Sequence, residues 1–286
     1  MSQSPDQASN QKQADEIRQN VRESYSQVAE ASNNSSSCGT ESSCCGVSDD
    51  AAINALVSTR LGYSEDDLDK VPEGADMGLG CGNPRAIASI KSGETILDLG
   101  SGGGFDCLLA AAETGKTGLV IGIDMTPTMI SKARDNAVKG KYNHVEFRLG
   151  EIENMPVAND IVDVIISNCV INLSPDKNQV FCEAFRVLKP GGRLAISDVV
   201  ASTELPDEIR EDLALYSGCM AGASQISELH KILEDNGFEQ INISPKDASK
   251  DFIKDWAPGR GVEEYVLSAT IEAVKPGGCC GSGSCC

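Results

Sequence analysis

Between Thr95 and Val199 the chain alternates short apolar runs with amphipathic stretches of helical length, and few folds accept that alternation. The runs cover 95–99, 118–123, 145–149, 162–167 and 193–199; helical spacing fills intervals such as 106–113, 127–139 and 177–188. Short apolar runs separated by helices are the pattern of parallel strands joined by right-handed crossovers. After Pro206 the pattern changes. Helical segments near 207–218 and 224–236 precede strand-like runs at 239–244 and 263–274. The expectation is an α/β fold: a doubly wound, mostly parallel, seven-stranded sheet with a small α+β C-terminal appendage covering one edge of the active site.

The flanks divide the rest. Residues 1–13 read as disordered, whereas 14–30 place Ile17, Val21, Tyr25 and Val28 at helical spacing. Residues 31–50 are rich in Ser, Asn and Gly and read as a mobile loop, since they have too little apolar surface to bury. A capped helical turn is expected within 61–68, and a Gly-rich segment follows at 78–84. The implied division is a flexible N-terminal segment (1–50), a core domain (51–205), the appendage (206–275) and a disordered Cys-rich tail (276–286).

A net charge of −19 excludes a phosphate-backbone binder, because no basic stripe exists to replace counterions. No stretch reaches the roughly 20 apolar residues that span a bilayer, and the polar start MSQSPDQASN is neither a signal nor a transit peptide. The expectation is a cytoplasmic protein with no nucleic-acid or membrane partner. Twelve cysteines are many for such a chain. They read as reduced thiols, some serving as ligands or redox groups. Cys38, Cys44, Cys45, Cys279, Cys280, Cys285 and Cys286 lie in low-complexity ends; Cys81, Cys107, Cys169, Cys182 and Cys219 lie in the folded middle.

The strongest local signal is Ile96-Leu97-Asp98-Leu99-Gly100-Ser101-Gly102-Gly103-Gly104-Phe105, an apolar strand ending in glycines that open a helix. In doubly wound folds ligands bind at that carboxyl edge. Asp98, Gly100, Ser101 and Gly102 form the first part of the candidate cofactor site. Asp124, followed by Met125, closes the next strand, where a carboxylate accepts both ribose hydroxyls. Glu151 and Ile152 follow the third strand, suited to an adenine edge, and Asn168 ends the fourth. A dehydrogenase-like dinucleotide site is the alternative, but ETILDLGSGGG lacks the phasing of G-x-G-x-x-G. This set resembles the class I S-adenosylmethionine methyltransferases, which have a Rossmann-like sheet. LKPGGRL (188–194) resembles their late-sheet turn, and the likeness covers about residues 75–200.

Fold does not choose the substrate. Cys81 sits in the Gly-rich loop, Cys169 at the fourth strand's end and Cys219 after the first appendage helix, so three thiols from three loops could meet beside the donor methyl. Thiolates prefer soft centres; zinc ordinarily takes tight C-x₂₋₄-C pairs, which these three do not form. Each folded-region Cys also has a bland reading as a small buried hydrophobe, retained for Cys107 and Cys182. Asn172 and Asp176 fit pocket shaping and turn or cap chemistry equally well.

The stretches GLGCGNP, LDLGSGGGFDC, GIDMT, GEIENMP, SNCVINLSPDK, FRVLKPGG and GCMAGA resemble the microbial branch of the arsenite methyltransferases, from about Cys44 to Phe238. SNCVINL is the discriminating piece. The resemblance implies catalytic cysteines at Cys44 or Cys45, Cys81, Cys169 and Cys219, with Cys81, Cys169 and Cys219 binding As(III). It implies S-adenosylmethionine as cofactor, and arsenite and methylarsenite, as thiol complexes, as substrates. A redox pair of Cys81 with Cys44 or Cys45 would be reset by thioredoxin or glutathione. The four C-terminal cysteines take no role from it. Two other readings stand beside this one. A methyltransferase for a carbon or quinone acceptor would tolerate loss of Cys169 and Cys219. A sequestering thiol protein would bind arsenite without turnover, which the intact glycine-rich site opposes.

Overall fold

A computed structural model of the chain describes residues 5–31 and 51–277. Seven strands form one sheet: β1 (Thr95–Leu99), β2 (Leu119–Asp124), β3 (Val145–Leu149), β4 (Val162–Asn168), β5 (Leu188–Ala201), β6 (Glu239–Lys246) and β7 (Val266–Val274). The order is β3-β2-β1-β4-β5-β7-β6. β1 to β5 run parallel, and β7 pairs antiparallel with both β5 and β6.

The described helices are α1 (Pro5–Ala31), α2 (Ala51–Arg60), α3 (Glu65–Asp69), α4 (Arg85–Ala88), α5 (Phe105–Thr114), α6 (Pro127–Gly140), α7 (Lys177–Val187), α8 (Asp207–Arg210), α9 (Leu213–Ser217), α10 (Ile226–Asp235) and α11 (Lys250–Ile253). Strand side chains alternate between faces, and both faces are covered. Leu97, Leu99, Ile121, Ile123 and Ile165 pack with α7 and α10. Ile96, Val120, Val164 and Ile166 pack with α4, α5 and α6. Burial on both faces is why these strands read as continuous apolar runs rather than alternating ones.

Four expectations change. Helix α1 begins at Pro5, so the polar segment read as disordered is helical from there; Gln, Lys, Ala and Glu favour helix without an apolar stripe, and Pro suits the first turn. Residues 207–218 form two short helices, because Asp212 caps α9 by accepting from the Ala214 and Leu215 amides. The strands assigned to an appendage are β6 and β7 of the main sheet: β7 pairs with β5 from Val266 to Val274, and its residues Val266–Ile271 are buried. What stands apart is the helical segment around α8 and α9. Cys182 lies exposed on α7 rather than in the core. The expected loop 31–50 and tail 276–286 lie outside the described residues, save for Ala31, Pro276 and Gly277.

Ser64 caps α3 in a reciprocal box with Asp67, matching the expected capped turn. Among the described residues, no helix is long and apolar enough to cross a membrane. Phe181 on α7 is 1 % exposed and joins the helix to one sheet face. Phe181→Ala should lower unfolding free energy by about 3–5 kcal/mol, read from urea unfolding, because it leaves a cavity between packed layers.

Candidate active site

The strand order reverses between β1 and β4, and the crevice at that switch point is where ligands bind in open α/β sheets. A cavity of about 60 Å³ lies there, lined by Gly100, Asp124, Met125, Gly150 and Ile152 from the strand ends. Asp124 accepts from the Gly102 amide at 3.0 Å and the Thr126 amide at 2.8 Å. A second hollow holds Asp98, Gly100, Ser101, Gly102 and Asn168. Asp98 is buried and accepts from the Cys107 thiol at 3.2 Å, so Cys107 is more than core filling.

Burial pushes the carboxyls of Asp98, Asp106 and Asp124 above their usual range, and for Asp98 the neighbouring acids add to it. Gathering three carboxylates in one buried place is unfavourable unless a cation joins them. The Ser101 hydroxyl is buried without a hydrogen-bond partner. Gly102 sits at φ +50°, and a Cβ there would meet nothing within 4 Å. Unused space, a spare hydroxyl and excess negative charge together fit a cationic nucleoside ligand such as S-adenosylmethionine.

Glu151 lies at the same edge but is engaged by α1: Arg22 reaches it at 3.1 Å, and Arg22 also donates to the Met125 carbonyl at 3.2 Å. Asn168 faces the hollow with its polar atoms committed elsewhere. Its oxygen accepts from the Cys81 amide at 3.0 Å; its amide donates to the Gly82 carbonyl at 2.8 Å and the Tyr63 oxygen at 3.0 Å. Tyr63 in turn donates to Asp106 at 2.7 Å. Gly80 permits this closure, since a Cβ at that position would lie 2.7 Å from the Asn168 amide nitrogen.

Beside the crevice, Cys81, Cys169 and Cys219 come together in the interior. The Cys169 sulfur lies within 4.8 Å of that of Cys81, and the Cys219 and Cys81 thiols both raise the Cys169 thiol. The Cys219 thiol donates to the Cys169 carbonyl at 2.6 Å. Cys169 (φ 62°) and Cys219 (φ 64°) both adopt the left-handed backbone that non-glycine residues avoid. Such strain of about 1–2 kcal/mol per residue persists only where surroundings impose it.

The imposing group is Asp198, which the motif reading passed over. Its carboxylate accepts from the Ile171 amide at 2.9 Å, the Val199 amide at 2.7 Å and the Asn172 side chain at 2.9 Å. Asn172 also reaches the Val199 carbonyl at 2.6 Å and the Cys219 carbonyl at 3.3 Å. Burial pushes the Asp198 carboxyl up to about 6 against these donors and Lys177, leaving it ionised at neutral pH. A carboxylate oxygen of Asp198 and the sulfurs of Cys81 and Cys169 lie within 4.8 Å of one another. Burial raises the Cys81 thiol, and its thiol contacts raise that of Cys169. Asp176 takes the capping role at α7, accepting from the Gln179 amide. Cys44 and Cys45, with Cys38 and the four C-terminal cysteines, lie outside the described residues.

The α1 residues at the crevice were also missed: Arg18, Val21 and Tyr25 line it. The helical spacing of Val21 and Tyr25 with Ile17 and Val28 was legible, but it announces only an apolar face and not what that face covers, and Arg18 lies outside that stripe. Asp198 did leave a signal, a lone carboxylate within the apolar run AISDVVA.

The comparisons bear on this geometry. Residues 90–237 match a family model described as a methyltransferase domain. The arsenite methyltransferase of Halobacterium salinarum is 51 % identical over 92 % of this chain and 67 % of its own length. That of Homo sapiens is 45 % identical over 50 % of this chain, which spans only 40 % of it; that of Aquipseudomonas alcaligenes is 41 % identical, and the chain spans half of it. Among solved structures, an arsenic (III) S-adenosylmethionine methyltransferase from Chlamydomonas reinhardtii superposes with a TM-score of 0.56 at 30 % identity, covering 79 % of this chain and 73 % of that one. A phosphoethanolamine N-methyltransferase from Haemonchus contortus (TM-score 0.54, 18 % identity) shares the fold. A donor crevice at the switch point, three thiols beside it and these likenesses lead to one assignment: the chain belongs to the arsenite methyltransferases, within the S-adenosylmethionine-dependent class.

Proposed function

We propose that this chain methylates trivalent arsenic bound to Cys81, Cys169 and Cys219. The observation that supports it best is the buried meeting of those thiols next to the acidic crevice, two of them on strained backbone. A site assembled against a conformational penalty reads as functional rather than as core packing.

The thiol environment suits ligand exchange. Burial raises the Cys81 thiol above its usual range, and the neighbouring Cys219 and Cys81 thiols, with burial, raise that of Cys169, so both favour the protonated form. Arsenite carries its own hydroxides: each thiol proton leaves with one of them as water while an As–S bond replaces As–O. Three exchanges consume no net proton and need no general base. Soft sulfur ligands suit arsenic, and the surrounding Met220, Leu215 and Val199 keep bulk water out. Methylarsenite, with one hydroxide already replaced by carbon, needs two thiols, which we assign to Cys169 and Cys219.

Asp98, Gly100, Ser101, Gly102, Asp124, Met125, Glu151 and Ile152 are the residues we assign to S-adenosylmethionine, with Asn168 holding the Cys81 loop at its edge. When bound, S-adenosylmethionine supplies an electrophilic methyl carbon, and methyl transfer to the arsenic lone pair formally takes arsenic from the trivalent to the pentavalent state. The buried carboxylates of Asp98, Asp106 and Asp124 complement the donor's positive charge, and the fixed thiols set the direction of the lone pair. Returning arsenic to the trivalent state requires two electrons. We assign them to Cys81 with Cys44 or Cys45, which would close a disulfide that an external dithiol or glutathione reopens.

Incubation with labelled S-adenosylmethionine, arsenite and a thiol, followed by arsenic speciation, should yield labelled methylarsenicals. Cys169→Ser and Cys219→Ser should each lose product from both arsenite and methylarsenite. Methylation of methylarsenite at the parental rate by either variant would remove that cysteine from the ligand set, and activity of both on some other acceptor would favour a carbon or quinone methyltransferase. For the donor site, Asp124→Ala should weaken S-adenosylmethionine binding by about 1.5–3 kcal/mol in calorimetry, the worth of hydrogen bonds to a charged acceptor. Unchanged affinity would place the ribose elsewhere.

A further inference from the structure

Helix α1 touches both halves of the active site. At the donor side Arg18 pairs with Glu153 at 3.2 Å and Arg22 with Glu151 at 3.1 Å, while Val21 is buried against the crevice. At the acceptor side Tyr25 and Val28 line the funnel that leads to Cys169 and Cys219. Tyr25 lines both the crevice and the funnel. Its hydroxyl donates to the Ser217 carbonyl at 3.3 Å, and the Cys219 and Cys169 thiols lie close by in the same funnel.

This contact falls on the strained turn. The left-handed backbone at Cys219 is held from the sheet side by Asn172 at 3.3 Å. Tyr25 holds the same turn from the opposite side, through Ser217. The ion pairs of α1 reach Glu151 and Glu153 at the donor-side edge. A ligand at those anchors can therefore bias how the helix sits. Glu151, Met125 and Ile152, which meet α1 or border it, are residues assigned to the donor.

We propose that Tyr25 is the positioning residue that couples the two sites. A bound donor fixes α1, and the Tyr25 hydroxyl then fixes the Cys219 turn in its arsenic-binding form. The inference rests on the reading of these thiols as arsenic ligands and adds a binding order to it: arsenite is held tightly only when the donor is present. Coupling of this kind is reciprocal, so arsenite must tighten donor binding by the same factor.

The test needs no turnover. Trp256, the chain's one tryptophan, lines the funnel and provides a fluorescence probe of arsenite binding. Arsenite is titrated into the full-length protein, with and without saturating S-adenosylhomocysteine as donor surrogate. The wild type should bind at least about fivefold tighter with the surrogate, the lower end of measured allosteric factors. Tyr25→Phe, which keeps the ring and should keep the fold, should bring that factor close to one while leaving surrogate affinity within about threefold. Tyr25→Ala should do the same, with circular dichroism reporting whether it is folded. A wild-type factor near one, or an unchanged factor in Tyr25→Phe, would overturn the proposal. Methylation of arsenite by the wild type is read separately; its failure would count against the assigned reaction and leave the coupling measurement standing.

Discussion

The site depends on a buried carboxylate. Asp198, near the end of β5's parallel partnership with β4, gathers two backbone amides and the Asn172 side chain. Through Asn172 it governs where the Cys219 carbonyl lies, and through Ile171 it fixes the turn that follows Cys169. Both cysteines sit at positive φ, a conformation that relaxes unless the surroundings hold it. An ionised group inside a protein costs several kcal/mol before its partners are counted. Here those partners are the very segments that carry the thiols, so the cost of burial goes into fixing where Cys169 and Cys219 sit.

The donor crevice is built on a similar opposition. Asp98, Asp106 and Asp124 all lose hydration on burial, which raises their carboxyls, and the two neighbouring acids push Asp98 further. Their protein partners offset only part of that: the Cys107 thiol for Asp98, Tyr63 for Asp106, and two amides for Asp124. A bound sulfonium cation would complete the charge balance, as proposed for the donor. The two halves meet at Asn168, at the β4 end, whose amide ties the Cys81 loop to the Tyr63–Asp106 chain. Cys169 follows it directly, so the strand end that borders the crevice also carries the first of the gathered thiols.

How legible was this from sequence? The parallel strands were, because burial on both faces writes continuous apolar runs such as VDVIIS, and β1 and β3 fall where the runs did. Strands β6 and β7 were visible as strands but not as members of the main sheet, since pairing partners depend on topology rather than on local pattern. The three thiols could be placed at loop ends from their neighbours in sequence. Their contact with one another, and the strain at Cys169 and Cys219, could not, because positive φ at cysteine leaves no compositional mark. Tyr25 was read as one member of an amphipathic stripe; that its hydroxyl meets a turn far along the chain is a tertiary fact. Asp198 was the legible residue left unread, a charge inside an apolar strand that has to have partners.

The central claim is that arsenic rests on protein sulfur at this junction. Arsenic K-edge X-ray absorption on the arsenite-loaded protein, free of small thiols, measures that coordination directly. The wild type should show a first shell of three sulfurs, and Cys219→Ser two sulfurs with an oxygen in the third place. A wild-type shell dominated by oxygen, or an all-sulfur shell unchanged by loss of Cys219, would contradict it.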